Sequence, residues 1–196
     1  MDSSRARVWH RPWMASPIAV RSAITAELTA VDLVQLRDLL WAAFPPGEDG
    51  FTEDDWQHGM GGRHFVAESN GVIVSHASVV EREIHIGGSA LRTGYVEAVG
   101  TRPEEQRRGF GSAVVQAATD HVRATYELGV LGTGEHAFYE RFGWRTWHGR
   151  AYVRTPDGPE RTPDEEGFIM VLRTPSSPEL DPEASISCDW RPGDVW

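Results

Sequence analysis

The 196-residue chain has no lysine: all 19 of its basic residues are arginine, and 29 acids leave a formal net charge of −10. The missing lysine carries no functional reading, but the acidic balance argues against nucleic acid or an anionic membrane as partner and favours a cationic ligand. A single cysteine, Cys188, leaves no intramolecular disulfide framework, and a lone thiol without other ligands makes no zinc site, so no metal is expected. No run approaches the ~18 apolar residues of a membrane span. The N-terminus MDSSRARVWHRPW carries arginines but no following apolar stretch, so it does not read as a secretory signal. A cytoplasmic protein is expected, and no internal repeat is visible.

What is present is ordinary in bulk and uneven in detail. With 40% hydrophobic and 24% charged residues, the chain reads as a disordered segment over 1–15 and a single domain over 16–196. Five acids fall within 48–55, five within 157–166 and five within 179–194. Such acids keep loops solvated; equally, three acidic segments can converge on one cationic substrate.

PIAVRSAI predicts a first strand. Thr29 then caps a helix whose Leu33, Leu36, Leu40 and Phe44 share a face, ended by Pro45 and Pro46. Thr52, Glu53, Asp54 and Asp55 open a second short helix carrying Trp56. RHFVAES, the turn Asn70-Gly71, VIVSHASVVEREIHI and, after Gly87-Gly88, ALRTGYVEAVGT predict an antiparallel meander of three strands. There follow an amphipathic helix after QRRGFG, a strand in LGVLGT, a helix in EHAFYERF, one strand in GWRTWHGRAYVRT, a loop over 155–166 and a strand in GFIMVLR. The order predicts a mixed α/β domain.

Chemistry concentrates first at Gln106, Arg107, Arg108, Gly109, Phe110, Gly111 and Ser112, between a strand and a helix. Glycines there let a ligand approach the backbone, and free N–H groups at a helix start suit a pyrophosphate. By itself the pattern is weak, and a plain helix entry with exposed arginines reads as well. It is neither a Walker loop nor the longer dinucleotide fingerprint.

Together, TGYVEAVGTRPEEQRRGFGSAVV and the downstream LGTGEHAFYERFGW resemble the GNAT superfamily of acetyl-CoA-dependent N-acetyltransferases, over residues 17–173. The resemblance implies the GNAT fold, a mixed and mostly antiparallel sheet flanked by helices, with acetyl-CoA as co-substrate. Residues 106–112 would cradle its pyrophosphate, and backbone at Ala98 and Val99 would grip the pantetheine arm and the acetyl oxygen. More narrowly, FTEDDWQHGMGGRHF, ALRTGYVEAV, RTPDEEG and the terminal CDWRPGDVW resemble the aminoglycoside 2'-N-acetyltransferases. That likeness implies a homodimer, Glu97 as general base acting directly or through water, and Tyr139 as general acid. Asp55, Trp56, Glu97, Glu165, Asp194 and Trp196 with its terminal carboxylate would bind the cationic drug, the tail folding over the site with Trp190 and Trp196 buried as anchors. Each residue also has a plainer reading: Glu97 as a strand-end acid, Tyr139 as a core aromatic, Asp55 as a helix cap. His76 and His85 read as structural or exposed.

Two positions depart from the pattern. The drug enzymes commonly carry an aspartate just before Phe-Thr, where this chain has Gly50, with Asp49 one residue earlier. Their longer serine-rich loop after the Leu128 strand is here Gly132-Thr133-Gly134. These departures turn the expected substrate toward a less cationic aminoglycoside, kasugamycin first and gentamicin-like drugs second. An acetyltransferase of another polyamine or metabolite amine, or a drug-binding protein without transfer activity, are the alternatives.

Overall fold

The computed structural model describes residues 17–47 and 50–196. The disorder expected for 1–15 and the Asp49 noted above lie outside these residues.

A long hairpin organises the domain. β3 (Val72–Ile86) and β4 (Ser89–Thr101) pair antiparallel along almost their whole length. Asn70 and Gly71 adopt positive φ (52° and 78°) to join β2 (Arg63–Ser69) to β3, and Gly87 and Gly88 (56° and 85°) join β3 to β4. These are the conformations a two-residue hairpin demands. β1 (Val20–Ile24) pairs with β2, completing the near half of the sheet.

Two helices cover one face. Thr29 caps α1 (Ala30–Ala43) and Thr52 caps α2 (Glu53–Gly59), each through a reciprocal capping box with Asp32 or Asp55. The buried face of α1 is Leu36, Leu39 and Leu40, joined by Trp56, Val66 and Ile73. Phe44, predicted on that face, is instead the helix C-cap and 37% exposed, because the residue before a proline is driven out of helical backbone. On the other face lies α3 (Phe110–Thr125), packing Val114, Val115, Ala118 and Val122 over Phe65, Val79, Val96 and Trp144.

β5 (Leu128–Gly132) and β9 (Ile169–Arg173) continue the sheet beyond β4, with α4 (His136–Glu140) between them in sequence. GWRTWHGRAYVRT is not one strand. It divides into β6 (Arg145–Thr146), which pairs with β9, and β7 (Ala151–Thr155), which crosses to the far edge. The break comes at Gly149, where a Cβ would lie 1.7 Å from the Ala184 carbonyl oxygen that Trp147 Nε1 hydrogen-bonds at 3.0 Å. The expected loop 155–166 contains β8 (Gly158–Arg161), paired with β7, and a 3-10 turn over Pro163–Glu165. The tail contributes a strand as well, β10 (Ile186–Asp189), wedged between the end of β3 and β7. The strand order is β6-β9-β5-β4-β3-β10-β7-β8, with β1 and β2 on the free half of β3.

One irregularity positions the site. β4 and β5 pair in parallel only at Thr93–Tyr95 and Leu128–Val130. Beyond Tyr95 the strands part while β5 stays on β9. A wedge opens beside Glu97, Ala98 and Val99.

Candidate active site

The wedge is held open by a bulge. His76 faces Gly100 and Ser78 faces Glu97 across the hairpin, so Ala98 and Val99 together oppose one residue. Ala98 takes φ of 50°, a left-handed backbone that costs an alanine on the order of 1 kcal/mol or more. What holds it is a buried chain of polar groups. The Ala98 carbonyl can only accept, so His76 donates from Nδ1 (2.7 Å). His76 Nε2 must then accept from His64 Nδ1 (2.9 Å), and His64 Nε2 accepts from the Thr25 hydroxyl (2.8 Å), which accepts from the Gly61 N–H (2.8 Å). The Thr25 hydroxyl proton goes to His64 rather than to the more distant Gly62 carbonyl at 3.4 Å. Burial pushes His64 down to about 4 and His76, beside it, to about 3, so both rings are neutral at physiological pH.

Glu97 follows on from Tyr95 along β4, its side chain 7% exposed and its Oε1 2.6 Å from Arg191 Nη1. Arg191 comes from the tail. Its Nε also donates to the Asp194 carbonyl at 2.8 Å, closing the turn through Gly193. Two guanidiniums lie near the Tyr95 ring, Arg82 at 4.7 Å and Arg191 at 5.6 Å. The Tyr95 hydroxyl and Arg82 Nη1 are buried without a hydrogen-bond partner among the described residues.

Across the wedge, Gly109 (φ 94°) starts α3 with no side-chain cap, and Arg107 also takes left-handed backbone (φ 60°). The first turn-closing bond is Ala113 N–H to Gly109 at 3.0 Å, which leaves the N–H groups of Phe110, Gly111 and Ser112 for a ligand, as a helix start does for phosphate. A Cβ at Gly111 would crowd Thr101 Oγ1 at 3.1 Å. Arg108 is ion-paired with Glu105, and Gln106 donates to the Thr101 carbonyl at 3.4 Å. Open N–H groups at a helix start beside a splayed pair of strands fit the pyrophosphate and extended arm of an acyl-CoA. Phe110 is buried and serves the core.

Tyr139 sits on α4, edge-on to Phe138 at 5.0 Å. It packs in the main core cluster, and burial, with Glu135 nearby, holds its phenol above the ordinary tyrosine range. It is therefore protonated at physiological pH, as a donor must be. Arg141 of the same turn reaches Ser112 Oγ at 3.5 Å, so α4 adjoins the start of α3.

The acids meet at the tail. Burial first, then the charges of Asp194 and Asp164, push the Glu165 carboxyl above its usual value, so three acids lie near one another here. His58 of α2 donates from Nε2 to the Pro192 carbonyl at 2.9 Å, and Asp54 lies against Gly193. One Asp55 oxygen is held in the α2 cap, accepting from both the Thr52 N–H and hydroxyl at 2.8 Å. Trp56, expected to face substrate, is 9% exposed and belongs to the α1–α2 core. Trp196 is buried at 5%, its indole N–H on Thr162 Oγ1 at 3.0 Å, and its carboxyl carbon is by Gly132. Trp190, expected to share that anchoring, is 56% exposed: alternation along β10 buries Ile186 and Cys188, and the chain leaves the sheet after Asp189. A separate groove of about 500 Å³ by His85, Tyr152 and Arg154 includes none of these residues.

Arg191, His64, His76, Tyr95 and Asp54 belong to this neighbourhood, and the sequence does not single them out as site residues. The motifs FTEDDWQHGMGGRHF, ALRTGYVEAV and CDWRPGDVW contain all of them but His76, yet a motif does not say which of its residues turn toward the site.

A wedge beside a carboxylate, a helix start with open N–H groups and a buried phenol are the parts that transfer of an acyl group from an acyl-CoA calls for. A sequence-family profile described as an acetyltransferase (GNAT) domain matches residues 25–147. An aminoglycoside 2'-N-acetyltransferase of Mycolicibacterium fortuitum is 41% identical over 153 residues, covering 76% of this chain and 78% of that protein. Among solved structures, a GNAT family N-acetyltransferase of Escherichia coli in complex with CoA superposes with a TM-score of 0.63 at 18% identity, over 91% of this chain and 93% of that one. One from Brucella melitensis in complex with acetyl-CoA gives 0.57 at 19%, over 83% and 94%. The chain belongs to the GNAT acetyltransferases and, within them, to the family of the aminoglycoside 2'-N-acetyltransferases.

Proposed function

We propose that the protein acetylates the 2'-amino group of an aminoglycoside, with acetyl-CoA as donor. The observation that carries the reading is the gathering of Glu165, Asp194 and Asp164 at a tail whose Arg191 is paired with Glu97, an arrangement suited to a polycation. Acetyl-CoA supplies the thioester, whose C–S bond breaks as the N–C bond forms. Glu97 takes the proton of the attacking amine, directly or through a water. An amine titrating near ~8 is about one-tenth neutral at pH 7, so a modest base suffices. Tyr139 gives its proton to the departing thiolate, and the backbone at Ala98 and Val99 receives the acetyl oxygen. Asp55, through its oxygen outside the cap, joins Glu165, Asp194 and the Trp196 carboxylate as drug ligands. The enzyme is read as a cytoplasmic homodimer.

Kasugamycin is the first candidate substrate. Gly50 supplies no carboxylate, and a Cβ there would meet the Gly47 nitrogen and the Pro45 oxygen at 2.8 Å; the short Gly132-Thr133-Gly134 loop reshapes the wall beside the chain end. Thiol release from acetyl-CoA across a panel of aminoglycosides, with mass spectrometry to locate the acetyl group, tests both levels. Turnover of kasugamycin well above gentamicin and tobramycin is expected. Equal turnover removes the specificity, and no turnover of any aminoglycoside removes the reading.

A further inference from the structure

We infer that Arg191 is a positioning residue: it locks the C-terminal tail to Glu97, committing Oε1 of that carboxylate and leaving Oε2 as the proton acceptor. The inference rests on the proposed function above and adds a part to it.

The geometry is specific. Arg191 Nη1 and Glu97 Oε1 are 2.6 Å apart, with side chains 17% and 7% exposed, so solvent screens the pair little and its partners are not interchangeable with water. Glu97 Oε2 makes no hydrogen bond among the described residues. It is also not among their sealed, unpartnered atoms, so solvent or substrate reaches it. A carboxylate with one oxygen fixed and one free has a defined rotamer and a single face for an amine.

Arg191 has a second hold. Its Nε donates to the Asp194 carbonyl at 2.8 Å, while Pro192 is tied to His58 at 2.9 Å and the Trp196 N–H reaches Asp194 Oδ1 at 3.3 Å. The guanidinium thus joins the base to the segment bearing Asp194 and the terminal carboxylate. Losing it loosens the base and the ammonium ligands together, which loss of a tail acid alone would not do.

The test compares Arg191→Ala, Arg191→Lys and the double variant Arg191→Ala/Glu97→Gln with wild type, using the best aminoglycoside of the panel. Arg191→Ala is expected to lower kcat by about 10- to 100-fold, the span of one charge-assisted hydrogen bond, and to raise drug KM while acetyl-CoA KM holds. Arg191→Lys restores part of the loss. Added guanidinium ion restores kcat in Arg191→Ala and not in the double variant, an effect that repair of a merely structural defect would not produce. A wild-type kcat in Arg191→Ala overturns the inference. So does a faster variant with lower drug KM, which would make Arg191 a competing cation, and so does failure of guanidinium to rescue. If wild type acetylates no aminoglycoside, the functional reading fails on its own. The lock is then judged by hydrogen exchange over 188–196, where protection unchanged in Arg191→Ala and Glu97→Gln overturns it.

Discussion

At the scale of single residues, the proposed division of proton work between Glu97 as base and Tyr139 as acid should separate in their variants. Glu97→Gln keeps the shape and removes the proton acceptor, so kcat is expected to fall by ~10²–10⁴ with acetyl-CoA affinity by calorimetry unchanged. Equal activity would take Glu97 out of the chemistry. Tyr139→Phe removes one oxygen from a side chain already packed in the core; kcat should drop while the melting temperature stays close to wild type. Gly50 gives a prediction of the opposite kind. An aspartate placed there to imitate the drug enzymes would push its Cβ into backbone at 2.8 Å, so Gly50→Asp is expected to cost ~1–3 kcal/mol in urea unfolding and not to gain activity on gentamicin. A stable variant with that gain would show that the turn yields and that the missing carboxylate alone sets the preference.

At the scale of elements, the bulge in β4 is maintained by β2 and β3 through the His64–His76 pair. Each ring has its pKa depressed, to about 4 and about 3 from an ordinary 6.5. The unfolded chain therefore binds more protons than the folded one at mildly acid pH. Stability from this pair is fully present above ~6.5 and is lost as pH falls through about 4 and about 3, on the order of 2–3 kcal/mol for each ring by pH 4.5. Thermal melts between pH 7 and 4.5 should show that loss. His76→Asn, which keeps a donor for the Ala98 carbonyl and cannot titrate, should flatten the profile; an equally steep profile would place the acid sensitivity elsewhere. Much of the element order was legible: the capping boxes at Thr29 and Thr52 and the Asn70-Gly71 turn are local, and local rules found them. The breaks were not. Nothing in Trp147–Arg150 declares that the Ala184 carbonyl will occupy the side-chain space of Gly149, and β10 owes its existence to the vacant edges of β3 and β7. The histidine chain is invisible for the same reason, since it joins Thr25, Gly61, His64, His76 and Ala98 across three strands and a turn.

For the molecule as a whole, the decisive feature is that the segment 186–196 is built into the fold. Cys188 is buried in β10, Trp196 is sealed in the cluster that holds Tyr95, Leu128, Trp147 and Ile169, and α2 grips Pro192. The motif CDWRPGDVW marked this segment as important, but the division of labour within it followed from packing: Trp196 anchors, Trp190 does not, and Arg191 turns inward to Glu97. Deleting Trp196 would confuse two effects, because losing a buried tryptophan costs about 3–5 kcal/mol in stability whatever the carboxylate does. Extending the chain separates them. A short Gly-Ser extension leaves the indole on Thr162 and converts the terminal carboxylate into a neutral amide beside Gly132. Drug KM is expected to rise by about 10- to 100-fold, the worth of one charged contact, with acetyl-CoA KM and the melting temperature nearly unchanged. The same extension at the N-terminus is the control. If the C-terminal extension leaves drug KM where it was, the carboxylate does not touch substrate, and the tail acts only through the residues it holds in place.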